Sequence, residues 1–572
     1  MRVKGIPNTL WSAAAFGAAW GLGESLGALA HSRVLVDRPI VLIAWAVCLT
    51  ALVAAPAGLL ARAQGWVGAL VGLLGLELLL RVLTDPPPFQ EPAWYVGSPV
   101  AVVLGVGALL VTRHLLVRTP WRVGVVLGLL AVMWGVRPPV DALPPRGEVV
   151  SSARNVLVVT LDTTRADHCS LYGYARETTP TLDALGDRGL VFDAMWSPIP
   201  VTGPAHTTLW SGVGPWEHGA LLNGMPVPDG PWLPTRLRSR GYSTSAFVSA
   251  YVLDGRYGFD RGFDVYDDDF NGLAGTSGLL LGRLWGGVQR FLDPDLLSER
   301  RGDHTVSRAL DWWERQEGPR MMWVHLFDAH GPYVAPEGPD FFQMEPDASL
   351  EGVGRLPVYL EGTLDGMTDT RQVVAEYDRE VHFADSQLAR LLETVGPDTL
   401  VVVVGDHGES FGEGGVWFDH GADLLDHSLR VPMVLAGPGI EPGRRGELTE
   451  LGEVPSLIEG ALGRGLPEPP ETPFARAVAF DREANQAVRA SDPDARPSLR
   501  MGAIRMPGSL VVARGDGSSV TLSGPVGGPL TPSVGGDVDA VLQLLSGDIG
   551  PRELSDDEAE MLRSLGYLDG LP

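Results

Sequence analysis

The first 137 residues are organised as five long apolar runs separated by short polar segments. The runs lie at about 9–30, 39–61, 66–84, 97–117 and 120–136. A helix needs about 20 apolar residues to cross the hydrocarbon core of a bilayer, so these runs predict five transmembrane helices. A cleaved signal peptide has only one such run and is excluded. A buried soluble helical bundle is the remaining alternative.

The short segments between the runs carry a weak excess of basic residues on alternate sides, which favours an N-terminus on the inner side. Five spans then place the chain after residue 140 outside. We therefore expect a multi-pass inner or cell membrane protein with a periplasmic or extracellular domain, joined by the proline-rich linker 138–152. Glu24 and Glu77 lie inside the runs, and their role is left open.

After the linker the pattern changes to short, almost continuously apolar segments. NVLVVTLD (155–162), MMWVHLFDAH (321–330) and TLVVVVGDHG (399–408) are typical of strands buried on both faces, with helical patterns between them. This order predicts an α/β fold with a mostly parallel sheet between helices. We place this α/β domain at 153–445, followed at 446–572 by a small antiparallel or irregular subdomain with a terminal helix.

Composition narrows the function classes. The net charge is −26, and the acidic excess falls on the part after the apolar runs, which argues against a nucleic acid partner. Lys4 is the only lysine in the chain, so no active site in the later domain can use one. The two cysteines, Cys48 and Cys169, provide neither a disulfide framework nor a thiolate metal site.

Acidic and histidine side chains follow the predicted strands, where α/β folds collect their ligands. Asp162 ends the first strand, and Asp406 with His407 ends another. Mixed oxygen and nitrogen ligands suit a divalent cation. Thr202 in PVTGPAHTTLWSG stands at a predicted helix start, where it is either a helix cap or a nucleophile activated by the metal.

The chain resembles the sulfatase family of the alkaline phosphatase superfamily over about residues 153–440. The resemblance rests on five motifs in the family's order and spacing: NVLVVTLDTTRADHCSLYGY, PVTGPAHTTLWSG, HLFDAHGPY, YDREVHFAD and VVVVGDHGESFGEGGVWFDHG. The five apolar runs resemble the architecture of lipoteichoic acid synthases and phosphoethanolamine transferases.

The resemblance implies an alkaline-phosphatase-like fold and a role for each matching residue. Asp162, Asp406, His407 and Thr202 match metal ligands, with Thr202 also at the nucleophile position. His330 and His420 match residues that contact the sulfuryl or phosphoryl oxygens. Asp328, His330 and His420 together form a candidate second metal site.

Departures from the sulfatase pattern favour the threonine-nucleophile branch of the family, which handles phosphoryl groups. Thr202 stands where sulfatases have the cysteine or serine that becomes formylglycine, and His206 replaces the motif arginine. Thr163 replaces a second acidic ligand. We assign His206 and Arg165 to the catalytic group, Arg165 either orienting the phosphate or pairing with an acid.

The prediction is therefore a membrane-anchored, metal-dependent sulfatase-like hydrolase or transferase that acts on phosphate or sulfate esters through a threonine nucleophile. An envelope or lipid-linked substrate is expected from the anchor. Zn, Mn, Ca and Mg are not distinguished, with Zn or Mn favoured. The alternatives are a sulfuric ester hydrolase or phosphodiesterase that releases its product to water, and an inactive relative that serves as an envelope scaffold.

Overall fold

A computed structural model describes the chain from the end of the linker onward. The described residues are 146–147, 154–225, 227–230, 232–270, 299–334, 338–342, 360, 369–469, 474–480, 500–514, 518–533, 538 and 541. They belong to one compact unit, Leu143–Phe270 with Ser298–Pro572. The five predicted spans and the predicted terminal helix lie outside the described residues. Across the residues that are described, no helix combines the length and apolar composition that a membrane crossing requires.

Strands and short helices alternate along the catalytic region. The strands are β1 (Asn155–Leu161), β2 (Gly189–Phe192), β3 (Met195–Trp196), β4 (Ser243–Phe247), β5 (Val265–Asp267), β6 (Arg320–Leu326), β7 (Thr399–Gly405), β8 (Ser410–Phe411), β9 (Trp417–Asp419), β10 (Arg430–Val431), β11 (Met433–Ala436), β12 (Gly443–Arg445), β13 (Thr449–Glu450), β14 (Ala475–Phe480), β15 (Arg500–Met506), β16 (Ser509–Arg514), β17 (Ser519–Ser523) and β18 (Thr531–Ser533). The α-helices are α1 (Pro180–Gly186), α2 (Thr202–Ser211), α3 (Pro215–His218), α4 (Leu233–Ser239), α5 (Gly302–Arg315), α6 (Thr370–Val395), α7 (Asp426–Leu429) and α8 (Val454–Glu459).

Eight strands form the central sheet in the order β12-β2-β11-β7-β1-β6-β4-β5. The five strands from β7 to β5 run parallel to one another, β12 is parallel to β2, and β11 is antiparallel to both of its neighbours. The mostly parallel α/β fold is therefore confirmed. The three predicted strands occupy adjacent central positions, in the order β7-β1-β6.

Burial explains why these apolar segments form the centre of the sheet. Every residue of β7 is buried, and in β1 all but Asn155 are. Side chains that point to either face of such a strand leave water, each contributing roughly 1.5–3 kcal/mol for a buried valine or leucine. Helix α5 packs against β4 and β6, and α6 packs against α5 and α1.

A second, five-stranded antiparallel sheet, β14 to β18, lies within the predicted C-terminal subdomain. Fully buried Arg505 on β15 donates two hydrogen bonds of 2.9 Å to the carboxylate of Asp426, which begins α7. This bidentate pair ties the small sheet to the segment that follows β9. The domain boundary at residue 445 stays a prediction.

Candidate active site

The carboxyl ends of β1 and β7 bring two aspartates side by side. Leu161 pairs with Gly405 in the register of these strands, so Asp162 and Asp406 follow at neighbouring positions. The Asp406 backbone N–H donates to the Leu161 carbonyl at 3.3 Å, which holds the two strand ends together. The structure therefore brings the two strand-end aspartates together at the carboxyl edge of the sheet, as the sequence predicts.

Each aspartate has one oxygen that is hydrogen-bonded and one that is not. Oδ2 of Asp162 lies 3.1 Å from His325 Nε2, and Oδ1 of Asp406 accepts from the backbone N–H groups of Thr163 and His407. Oδ1 of Asp162 and Oδ2 of Asp406 are buried without a hydrogen-bond partner. Buried oxygens left in this way are ready to bind a cation.

The charges of the two carboxylates also call for a cation. Burial raises the pKa of Asp162 to about 6, although His407 and His420 nearby lower it. Burial and the negative charge of Asp162 raise the pKa of Asp406. Removing two like charges from water is costly unless a positive charge compensates them.

His407 completes a group with the two aspartates. Their ligand atoms all lie within 4.8 Å of one another, and this is the one such group of three or more metal-ligating side chains among the described residues. Nδ1 of His407 donates to the Gly408 carbonyl at 2.9 Å, so Nε2 carries the lone pair that a metal requires. Gly408 permits the turn, because a Cβ there would lie 1.9 Å from the His427 carbonyl oxygen.

Thr202 lies beside this group as the first residue of helix α2. Its Oγ1 is 3.2 Å from His407 Nε2, and the residue is fully buried. Val201 is the N-cap residue, and the backbone N–H of Gly203 is satisfied by Asn223 Oδ1 at 2.8 Å. The helix-cap interpretation of Thr202 is therefore wrong, since its hydroxyl faces the metal-ligating group and caps nothing.

His206 lies one turn along α2, and its two ring nitrogens are engaged by the protein. Nδ1 donates to the Thr202 carbonyl at 2.8 Å, and Nε2 accepts from the Thr160 hydroxyl at 3.0 Å. Thr160 in turn accepts from Trp323 Nε1 at 2.9 Å. Burial lowers the pKa of His206 to about 3, so the ring is neutral. These contacts support the backbone under Thr202, and a direct catalytic role for His206 stays a prediction.

Arg165 is buried and pairs with acids, which is one of the two roles predicted for it. It donates two hydrogen bonds to Asp167, at 2.9 and 2.7 Å, and Nη1 lies 2.9 Å from Glu413 Oε1. Nη1 also donates to the Glu409 carbonyl at 3.1 Å. Through these contacts the Arg165 guanidinium links the segment at Asp167 to the loop that contains Glu409 and Glu413. A role for Arg165 in orienting a phosphate stays a prediction.

The two predicted oxygen-binding histidines meet at the site. The His420 ring lies 4.7 Å from the His407 ring and 5.1 Å from that of His330, and His330 stacks on Phe327 at 4.3 Å. His330 and His420 are buried. His420 therefore lies next to the metal-ligating His407, and His330 lies next to His420.

Asp328 does not join these histidines. Its Oδ1 accepts from the Gly302 N–H at 2.8 Å, at the start of α5. Asp328, His330 and His420 are not a group whose ligand atoms all lie within 4.8 Å. One oxygen of the Asp328 carboxylate therefore binds the first turn of a helix, and the second metal site stays a prediction.

Three residues at the site were missed from the sequence. His325 in β6 is fully buried and bonds Asp162, with Nδ1 accepting from the Ser249 N–H at 3.4 Å. Asn223 binds the start of α2, and Glu409 contacts His420. His325 could have been recognised as a candidate site residue, because it is a histidine within a mostly apolar strand. No local pattern pointed to Asn223, because it acts across a loop.

Comparisons with known proteins identify the family of this chain. The sequence model of the Sulfatase family matches residues 154–454, more than half of the 572-residue chain. The chain belongs to the sulfatase family. It is 24% identical to a choline-sulfatase of Rhizobium meliloti over 46% of this chain and 59% of that protein. An uncharacterized sulfatase of Escherichia coli is 23% identical over 50% of this chain and 63% of that protein.

Solved structures place this sulfatase family member in the alkaline-phosphatase-like fold. A phosphonate monoester hydrolase from Silicibacter pomeroyi is 18% identical, with a TM-score of 0.50 over 65% of this chain and 89% of that one. The chain spans only 59% and 63% of the two curated relatives, so their names do not fix its activity. The likeness shows the family and the fold.

Proposed function

We propose that the protein is a metal-dependent hydrolase or transferase of phosphate or sulfate esters, with Thr202 as its nucleophile. Membership of the sulfatase family supports the ester chemistry. The observation that carries the nucleophile is the 3.2 Å contact between Thr202 Oγ1 and His407 Nε2, beside two buried carboxylate oxygens without partners.

The donor set at the strand ends fits a divalent cation. Oδ1 of Asp162, Oδ2 of Asp406, Nε2 of His407 and the Thr202 hydroxyl would hold it, a mixture of oxygen and nitrogen that favours Zn or Mn over Ca or Mg. When bound, such an ion lowers the pKa of a ligated hydroxyl and neutralises developing charge.

Side chains of the protein carry out the attack on the ester, contact the substrate and position the nucleophile. Thr202 Oγ gives up its proton to solvent and forms a bond to phosphorus or sulfur, while the ester oxygen leaves with the electron pair and takes up a proton. The rings of His420 and His330 follow one another next to His407, and both would contact the phosphoryl or sulfuryl group. His206 and Asn223 hold the first turn of α2, which fixes the direction of attack. Water or an acceptor hydroxyl finally displaces Thr202.

The choice between phosphate and sulfate follows from the nucleophile. Formylglycine forms from cysteine or serine, and a threonine at position 202 instead favours a phosphoryl intermediate. A sulfuric ester hydrolase is the second candidate, because the names of the relatives include choline-sulfatase. The five apolar runs of residues 1–137 support membrane anchorage and a lipid-linked or envelope substrate, with the catalytic domain outside the cell membrane.

Turnover by the full chain tests this proposal. We expect hydrolysis of 4-nitrophenyl phosphate with Mn²⁺ or Zn²⁺, loss of three or more orders of magnitude in Thr202→Ala, and a phosphothreonine at 202 in quenched wild-type protein. Thr207→Ala is the matched control, since its hydroxyl donates to Gly203 within the same helix. Turnover of the sulfate ester alone would support the second candidate, and phosphoryl transfer from a labelled phospholipid would identify a transferase. Absence of metal binding and of turnover would favour the inactive scaffold.

A further inference from the structure

Glu409 is a fully buried acid that the proposed reaction does not use. It lies two positions after His407, in the loop between β7 and β8, and its side chain contacts His420 and Tyr333. We propose that Glu409 is the positioning residue for His420, holding its ring so that Nε2 serves the step that releases Thr202. The inference rests on the proposed function for the identity of that step.

Both oxygens of the Glu409 side chain are engaged. Oε1 lies 3.3 Å from His420 Nδ1, and Oε2 accepts from the Tyr333 hydroxyl at 3.3 Å. The Glu409 carbonyl accepts from Arg165 Nη1 at 3.1 Å, which fixes the backbone as well. A carboxyl group held at both oxygens and through its own backbone cannot rotate away from the histidine.

The contact between His420 Nδ1 and Glu409 determines whether the other ring nitrogen, Nε2, can accept a proton. A histidine that donates Nδ1–H to an acceptor carries its lone pair on Nε2. The His420 ring lies 4.7 Å from the His407 ring, and His407 Nε2 lies 3.2 Å from Thr202 Oγ1, so His420 is one side chain away from the nucleophile. His420 Nε2 is thereby suited to accept a proton in the space occupied by the ester.

The step that uses this nitrogen balances without any further reactant. A water or acceptor hydroxyl oxygen bonds to phosphorus, and its proton passes to His420 Nε2. The bond between phosphorus and Thr202 Oγ breaks, and the electron pair returns to Thr202. A ring that turns freely would present Nε2 only part of the time, so this second step would slow while the first continued.

Pre-steady-state kinetics of the full chain with 4-nitrophenyl phosphate and Mn²⁺ tests the assignment. For Glu409→Leu we expect a fall of about 10-fold or more in kcat, with KM falling in parallel, and a burst approaching one nitrophenol per protein. Phosphothreonine should accumulate at 202. Glu409→Gln keeps an oxygen acceptor for Nδ1–H and should stay within about 3-fold of wild type.

Asp423→Asn is the matched control, because Asp423 makes a similar 3.1 Å contact with His427 in the same part of the chain. It should show no burst. Nitrogen NMR of the His420 ring gives a readout independent of turnover: Nδ1 should be protonated in wild type and Glu409→Gln and lose that preference in Glu409→Leu. Unchanged ring protonation in Glu409→Leu, or lower kcat without accumulated phosphothreonine, would overturn the positioning role. If wild type shows no turnover, the proposed function fails while the NMR result still decides the positioning.

Discussion

Replacing Asp162 by asparagine should make the metal-free protein more stable and the metal-loaded protein less stable. Asp162 is fully buried beside Asp406, and without a cation the histidines around them offset only part of the cost of burying two negative charges. Asparagine keeps an oxygen that can accept from His325 Nε2, so it removes the charge with little change in shape. The same substitution removes an anionic ligand for the metal.

The magnitude follows from the pKa of Asp162, which burial raises from 3.8 to about 6. A carboxyl whose folded pKa is raised contributes its full stability below pH 3.8 and loses it progressively as the pH rises to about 6. At about 1.4 kcal/mol per pKa unit, the charge costs about 3 kcal/mol at pH 7.5, which Asp162→Asn recovers. A cation at 100 times its dissociation constant would instead stabilise wild type by about 2.7 kcal/mol.

Thermal unfolding at pH 7.5, with EDTA and with saturating Mn²⁺, measures both effects. The melting temperature of Asp162→Asn should exceed that of wild type in EDTA and fall below it in Mn²⁺. Asp378→Asn is the control: Asp378 is buried but accepts from Tyr174 and Arg176, so its loss should destabilise the protein under both conditions. A lower melting temperature for Asp162→Asn in EDTA would refute the charge argument, and an unchanged response to Mn²⁺ would refute the metal assignment.

Two further predictions concern groups around the site. The pKa of Glu380 is raised from 4.5 to about 9 by burial and by Asp328, with Arg379 opposing, so stability should decline between these pH values. At about 1.4 kcal/mol per pKa unit, Glu380→Gln should gain about 5 kcal/mol of stability at pH 8 and nothing at pH 4 in urea unfolding. An equal gain at both pH values would contradict the assignment. His325→Phe removes the hydrogen bond that orients Asp162 and should weaken Mn²⁺ binding by about 10–100-fold in titration calorimetry. Unchanged affinity would show that His325 only fills space.

The centre of the fold could be predicted because it is encoded locally. Five of the seven residues in each of NVLVVTL and TLVVVVG are valine or leucine, a composition typical of a strand buried on both faces, and the acids after them mark the carboxyl ends. The antiparallel insertion of β11 between β2 and β7 could not be predicted in this way. A four-residue apolar segment does not specify its direction, which depends on the path of the chain around it.

The segment 321–330 shows why the site was predicted only in part. The sequence predicts site residues at the end of this strand, Asp328 and His330. The residue that contacts Asp162 is instead His325, which lies inside the strand. The choice depends on register: His325 pairs with Thr160 on β1, which brings it beside the end of that strand. The face of β6 that is turned toward the site depends on pairing between residues 165 apart in sequence, Thr160 and His325, and no local pattern predicts that pairing.

The side chains around Asp162 and Asp406 supply little positive charge for binding an anionic ester. Lys4 is the only lysine of the chain, and Arg165 is committed to Asp167 and Glu413. The buried histidines His206 and His325 have lowered pKa values and are neutral. Near Asp162 and Asp406, an anionic ester would therefore meet repulsion unless a cation is bound first. Metal and substrate binding should be thermodynamically coupled, each tightening the other by the same factor.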